Sequence, residues 1–398
     1  MICKFKTWML KWLLKWLSCP TSKDLKNEEL KRLAERLKEN SDKKTLTNIL
    51  EWQDRNIHAW IDRYLLPPVL IFLVFPFLYI LWCLPCPFLI KLILFILSII
   101  LGLADIIYLI PVVLVLFTHL ILPLVIAIYQ NPKNLLLVVQ GKAILYAVLF
   151  GGIITIICYL IIKYKRFVRN RPKVKVCEVL LDTFYTSLPV NKILKYGLAI
   201  CRDYAKLTAS LLFNVYPDSE LYFIKILGHV AVAVKIKDNY YVLDQHLPIL
   251  KTDRWLIAWD KEKADLYVSE VLRDSEGEPI NVTIRWHEQI KINKKSKLKI
   301  PKECIEELTE RIAKILGIPQ NSQKYEPFEI RLYDYAIYYD DDEITKYSLI
   351  REIKNRLESE LCSNIDKVSK IEISQNEKNL IIKVYFNNEP IPRLSIAS

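Results

Sequence analysis

The chain has 398 residues, 52% of them hydrophobic and 25% charged, with a formal net charge of +12. That length accommodates two or three domains, and nine cysteines without a framework spacing exclude a small disulfide-stapled scaffold. The basic excess suits nucleic acid or anionic lipid, but its densest run, residues 163–175, directly follows an apolar stretch, so the lipid bilayer is the expected partner and nucleic acid is not.

Residues 1–64 read as an amphipathic helical N-terminal region. Trp8, Trp12 and Trp16 recur at every fourth position with Lys4, Lys11 and Lys15 among them, the pattern of a short interfacial helix. Lys11 and Lys15 would interrupt the core of a signal peptide. Leu30, Leu33 and Leu37 form one apolar stripe, and Ile49, Leu50, Ile57, Trp60, Ile61 and Tyr64 form another. These two helices read as packing and anchoring elements rather than as a regulatory or dimerising arm.

Residues 65–162 read as an α-helical transmembrane region. Between 65 and 129 only Lys91 and Asp105 carry a formal charge. A spanning helix needs about 20 apolar residues, so three crossings fit there and a fourth fits over 135–162. Seven basic residues and no acid in the juxtamembrane linker 163–175 place that end in the cytoplasm. The lysine-rich N-terminus belongs on the same side, which favours four spans and a multi-pass protein of the cell membrane with both ends cytoplasmic. Pro67, Pro68, Pro76, Pro85, Pro87, Pro111 and Pro123 can each kink a helix or mark a turn, and two spans result if part of the block is re-entrant. Asp105 and His119 invite a transport reading, but two ionisable groups make a poor relay. Cys83 and Cys86 form a Cys-x-x-Cys without a second pair, and His287 has no companions at ligand spacing, so neither a metal nor another cofactor is expected.

Beyond Lys175 helix-like and strand-like stretches alternate, giving an α+β domain over 176–290. The lysine-rich connector 291–299 separates it from a small α+β unit over 300–398. There the pattern predicts a helix over 301–316, a strand over 329–339, a helix over 345–361, and a hairpin joining 371–374 to 380–386.

The chemistry concentrates in three short stretches: Ile200-Cys201-Arg202-Asp203-Tyr204-Ala205, Gly228-His229-Val230, and Val242-Leu243-Asp244. A helix N-terminus and a nearby imidazole both shift a thiol toward thiolate. Residues 202–213 have the composition of a helix, Gly197 can supply the turn before it, and Asp203 suits its first turn. In the strand that follows, His229, Ala231 and Ala233 share one face, and the alanines leave room beside the imidazole. Folding the hairpin at Ile236-Lys237 would set His229 level with Asp244. The stronger turn signal at 237–239 offsets them, which calls for a bulge or a skewed register. His246 could share the face of Asp244 as a substrate contact.

These motifs resemble the transglutaminase-like superfamily over roughly residues 182–254. The resemblance implies a papain-like core with a Cys-His-Asp triad, in which Cys201 is the nucleophile, His229 the general base and Asp244 the residue that orients the imidazole. Ala199 stands where the family commonly has glycine, and Gln245 where proline is frequent; neither touches the triad. The family's oxyanion donor has no clear match among Asn191, Tyr196 and their neighbours. The expected function is a membrane-anchored cysteine hydrolase or acyltransferase acting on an amide bond of a protein or peptide, through a thioester. The alternatives are a catalytically inactive fold serving as a membrane-tethered binding module, and a transporter with a regulatory domain.

Overall fold

The computed structural model describes residues 11–60 except 13, residues 63, 162, 163 and 165, and residues 174–387 except 184–186, 293–298 and 321–325. The chain divides into two compact units, residues 1–58 together with 187–398, and residues 59–186. In the second unit the short helix Val176–Asp182 is closed by Thr183, whose hydroxyl donates to the Val179 carbonyl at 2.9 Å.

The expected transmembrane region is corrected. Among the described residues no helix is long and apolar enough to cross a membrane. The helices that precede it, α1 (Glu28–Leu37) and α2 (Asp42–Asn56), each bury one face against protein and leave the other polar, so they are not apolar all round. The spans themselves, the Cys83/Cys86 pair, Asp105 and His119 lie outside the described residues, Ile162 excepted. The fold that stands is α+β, and the multi-pass placement in a cell membrane is withdrawn.

In the first unit, α1 is set by an N-cap at Asn27, whose side chain accepts from the Leu30 N–H, and it buries Leu30, Leu33, Ala34 and Leu37. Helix α3 (Val190–Tyr196) ends at Gly197, which takes a left-handed conformation with φ 60 that suits glycine. The chain then enters α4 (Cys201–Val215), almost wholly buried from Asp203 onward. Helix α1 packs on α4, while α2 is tied to it by a buried hydrogen bond from Gln53 to Thr208 at 2.9 Å and by the Tyr204 hydroxyl donating to the Ile57 carbonyl at 2.8 Å. The N-terminal helices are thus part of the casing of α4.

Helix α4 packs on an antiparallel sheet of six strands: β1 (Leu221–Ile226), β2 (His229–Ile236), β3 (Asn239–Leu243), β4 (Leu250–Lys251), β5 (Lys263–Arg273) and β6 (Pro279–Lys291). Their spatial order is β4-β3-β2-β1-β5-β6. Helix α5 (Thr252–Ala258) follows β4, and its Trp255 joins Ile224, Ala231, Ala233, Val242 and Leu266 in a buried cluster on the sheet.

The last part contains α6 (Lys302–Leu316), β7 (Phe328–Leu332), a single turn α7 (Tyr335–Tyr338), α8 (Glu343–Leu361), β8 (Val368–Asn376) and β9 (Asn379–Phe386). Its three strands run in the order β8-β9-β7. The strand expected over 329–339 stops at Leu332, because Asp334 adopts a left-handed φ of 62 that a short polar residue tolerates and a strand does not. The chain then coils into α7. Helix α8 meets α2 through Glu51, a buried carboxylate held by Arg351 at 2.5 Å and by Asn355 at 3.1 Å.

Candidate active site

Cys201 is the first residue of α4, at the positive end of a 15-residue helix. Asp203 fixes that start: its buried carboxylate accepts from the backbone N–H of Ile200 at 3.1 Å and of Leu188 at 3.2 Å. The sequence pointed to the helix dipole, and the structure adds that this residue pins two backbone segments beside the thiol. Lys206, also buried, reinforces the same loop by donating to the Leu188 carbonyl at 3.1 Å and to the Ser187 hydroxyl.

His229 opens β2, and Asp244 lies one residue past the end of β3. The hairpin turns at Lys237-Asp238, with Lys237 at φ 55, and pairs Ile236 with Asn239 and Val232 with Leu243. In this register Asp244 comes opposite Ala231, so it is a diagonal neighbour of His229 on the same face. No bulge interrupts the pairing, and the skew expected from sequence is nothing more than this diagonal. A diagonal separation of about 7–8 Å between α-carbons is within reach of these two side chains.

The geometry is close. The imidazole Nε2 lies 2.8 Å from Asp244 Oδ1 and 2.9 Å from Oδ2. His229 also hydrogen-bonds the side chain of half-buried Cys201, so one imidazole links thiol and carboxylate. Burial, which leaves His229 only 7% exposed, pushes its pKa down, but the hydrogen bonds and negative charges of Asp244 and Cys201 outweigh it and carry the pKa up to about 9. The protonated ring is therefore the favoured form at neutral pH.

Two further residues escaped the sequence reading. Trp255 on α5 donates its indole N–H to Asp244 Oδ2 at 2.8 Å, and Trp259, just past the helix, donates to the same oxygen at 3.3 Å. Trp259 also lies over the imidazole, with ring centroids 4.1 Å apart and planes inclined by 26°. The carboxylate thus has three side-chain donors, which together hold its charge. The available signal was a pair of tryptophans four residues apart, 11 and 15 residues after Asp244, a spacing that puts both on one side of a helix.

His246 does not join the triad. It bonds Asp54 of α2 at 2.5 Å and meets Tyr204 edge-on. His287 lies far along β6, with Tyr240 at 3.1 Å. Asn191 is exposed on α3 and Tyr196 is buried on the same helix. Among the described residues no group of three or more His, Cys, Asp or Glu is placed to hold a metal ion.

The family described as a transglutaminase-like domain matches residues 28–272, from the start of α1 to the end of β5, and so includes the N-terminal helices that encase α4. A UPF0252 protein of Methanocaldococcus jannaschii is 37% identical over 210 residues, 52% of this chain and 57% of that protein. A UPF0252 protein of Archaeoglobus fulgidus is 32% identical over 93 residues, 22% of this chain and 29% of that protein. One of Pyrococcus horikoshii is 38% identical over 79 residues, 19% of this chain and 26% of that protein. The chain therefore spans less than two thirds of the length of each of these relatives. No solved structure matches.

Proposed function

We propose, from the premise that the chain belongs to the transglutaminase-like family, that it is a thiol enzyme acting on an amide bond through Cys201, His229 and Asp244. The observation that carries this reading is the single buried imidazole hydrogen-bonded to both the thiol and the carboxylate. With His229 protonated at neutral pH, an imidazolium stands beside Cys201 at a helix N-terminus, and both influences favour the thiolate form and nucleophilic attack.

The reaction follows from these roles. The Cys201 sulfur attacks the amide carbonyl, and the resulting oxyanion is stabilised by the positive end of α4. The imidazolium passes its proton to the departing nitrogen, the carbon–nitrogen bond breaks, and a thioester remains on Cys201. Now neutral, His229 takes a proton from water or from an acceptor amine, whose attack releases a carboxylic acid or a new amide and restores the thiol. Asp244, held by Trp255 and Trp259, keeps the imidazole facing the sulfur throughout.

The test is iodoacetamide labelling of each cysteine in the full chain from pH 5 to 9. An activated Cys201 labels rapidly at pH 6 to 7, where an ordinary thiol with a pKa of about 8.5 is almost wholly protonated. Cys177 and Cys362, both exposed, serve as internal references. If Cys201 reacts no faster than they do, the thiol is not activated, and the fold serves as a binding module.

A further inference from the structure

A cavity of about 340 Å³ borders the triad at Asp244. Asp244, Trp255 and Trp259 belong to both, whereas Cys201 and His229 do not line the cavity. Its remaining walls are Leu247, Pro248, Leu250, Ala258 and Tyr338 together with Gln245 and His246, whose imidazole is engaged by Asp54, and no lysine or arginine is among the lining residues. The one carboxylate present, Asp244, is already engaged by an imidazole and two indoles. A charged guest would find only groups already paired within the protein, His246 with Asp54 and Asp244 with its three donors, while an uncharged apolar group would find aromatic and aliphatic walls. The volume is near the lower end of the range of about 300–1,000 Å³ for small-molecule sites, which is room for one side chain rather than an extended ligand.

Tyr338 comes from α7, outside the part of the chain that matches the family, and its position is held firmly. Lys251 bonds Asp340 at 2.9 Å, the Tyr241 hydroxyl donates to Asp342 at 2.7 Å, and the Ile249 N–H donates to the Ser348 hydroxyl at 3.0 Å. These bonds join β3, β4 and the residue before β4 to the start of α8, so the tyrosine wall is preformed.

We propose that this cavity is a subsite for a bulky uncharged side chain, aromatic or branched aliphatic, of a peptide substrate, and that Tyr338 is a specificity-determining residue. Because Cys201 lies outside the cavity, the side chain that enters it belongs to a residue flanking the reacting amide. The last hundred residues of the chain then complete the substrate site. This inference rests on the active-site reading above, but its test does not depend on turnover.

The experiment uses the full chain carrying Cys201→Ala, with N-acetyl-L-phenylalaninamide and N-acetylglycinamide as probes and tryptophan fluorescence as the readout, since Trp259 is 41% exposed at the cavity. The expected result is saturable binding of the phenylalanine amide at least about ten-fold tighter than that of the glycine amide. Tyr338→Ala should remove most of that preference, Tyr338→Phe should retain it, and Tyr333→Ala, an exposed position outside the cavity, should leave it unchanged. Far-UV circular dichroism checks that each variant folds. Equal binding of the two amides, no binding of either, or a preference that survives Tyr338→Ala in a folded protein overturns the proposal. Any of these leaves the labelling result at Cys201 standing. Conversely, an unreactive Cys201 with Tyr338-dependent binding removes the enzyme and keeps the cavity as a side-chain site.

Discussion

Two histidine–carboxylate pairs, one ending in Asp244 and the other beginning two residues later at His246, differ in nearly everything except their hydrogen bond. His229 and Asp244 meet at 2.8 Å with side-chain exposures of 6% and 17%, whereas His246 and Asp54 meet at 2.5 Å with 52% and 39%. The first pair is enclosed by two indoles and linked to a thiol; the second stands in solvent, between α2 and the loop after β3. Each imidazole has its pKa raised, His246 first through its hydrogen bond to Asp54, and His229 against a burial penalty that its two partners overcome. A hydrogen-bonded pair therefore does not make a site. Exclusion of water, which strengthens the charges and fixes the geometry, is what separates the two.

The largest effect should come from removing the shared imidazole. His229→Ala is expected to lower amide turnover by about 10²–10⁴-fold, and iodoacetamide labelling of Cys201 at pH 7 by about 30-fold as the thiol returns to a pKa of about 8.5. Peptide mapping by mass spectrometry reads the second quantity directly. Equal labelling in both proteins would show that the buried pair is as inert as the exposed one.

Asp244→Ala comes next. It should bring the His229 pKa down from about 9, because burial is then opposed by Cys201 alone, and an NMR titration of the ring measures it. A folded-state pKa raised above the unfolded value near 6.5 stabilises the protein fully below pH 6.5, and that contribution fades as pH climbs through about 9. The fall in unfolding free energy over that window should flatten in the variant. Losing the acceptor for two indoles and an imidazole should also cost about 2–3 kcal/mol in a urea denaturation.

Trp255→Phe sharpens the comparison by taking away one donor while keeping a ring. The expected loss is about 1–2 kcal/mol in a urea denaturation, less than Asp244→Ala gives. The smallest effect belongs to the exposed pair. Asp54→Asn should change stability by less than about 0.5 kcal/mol and leave Cys201 labelling within about two-fold, while the His246 pKa falls toward its ordinary value. A large loss of labelling in that variant would make His246 a partner of the triad after all.

Much of the site was legible because its signals are local. A cysteine opening a helix, a histidine among small residues on a strand, and a strand ending in aspartate each follow from spacing alone, and α4, β2 and β3 appear where those spacings put them. The hairpin register was less legible. Two turn positions competed, and only the pairing of Ile236 with Asn239 shows that Lys237-Asp238 makes the turn and that a diagonal contact replaces a bulge. The tryptophans were missed because a pair four residues apart on a short helix reads equally well as core. Trp255 is in fact both core and donor to Asp244. The transmembrane expectation rested on composition alone, and no described helix supports it.

The sequence by itself determined the order of the cysteine, histidine and aspartate that meet in the candidate site, and the α+β character of the chain beyond residue 175. Helix and strand periods and the chemistry of single side chains act over a few residues, so they survive in a linear reading. Only the tertiary structure decided that α1 and α2 encase the helix that Cys201 opens, that Asp203 pins the loop at Leu188, and that Tyr338 reaches the cavity beside Asp244. Those contacts join residues from 15 to 155 positions apart, and the chain closes such distances only when burial of the whole core compensates the entropy of closing the loops.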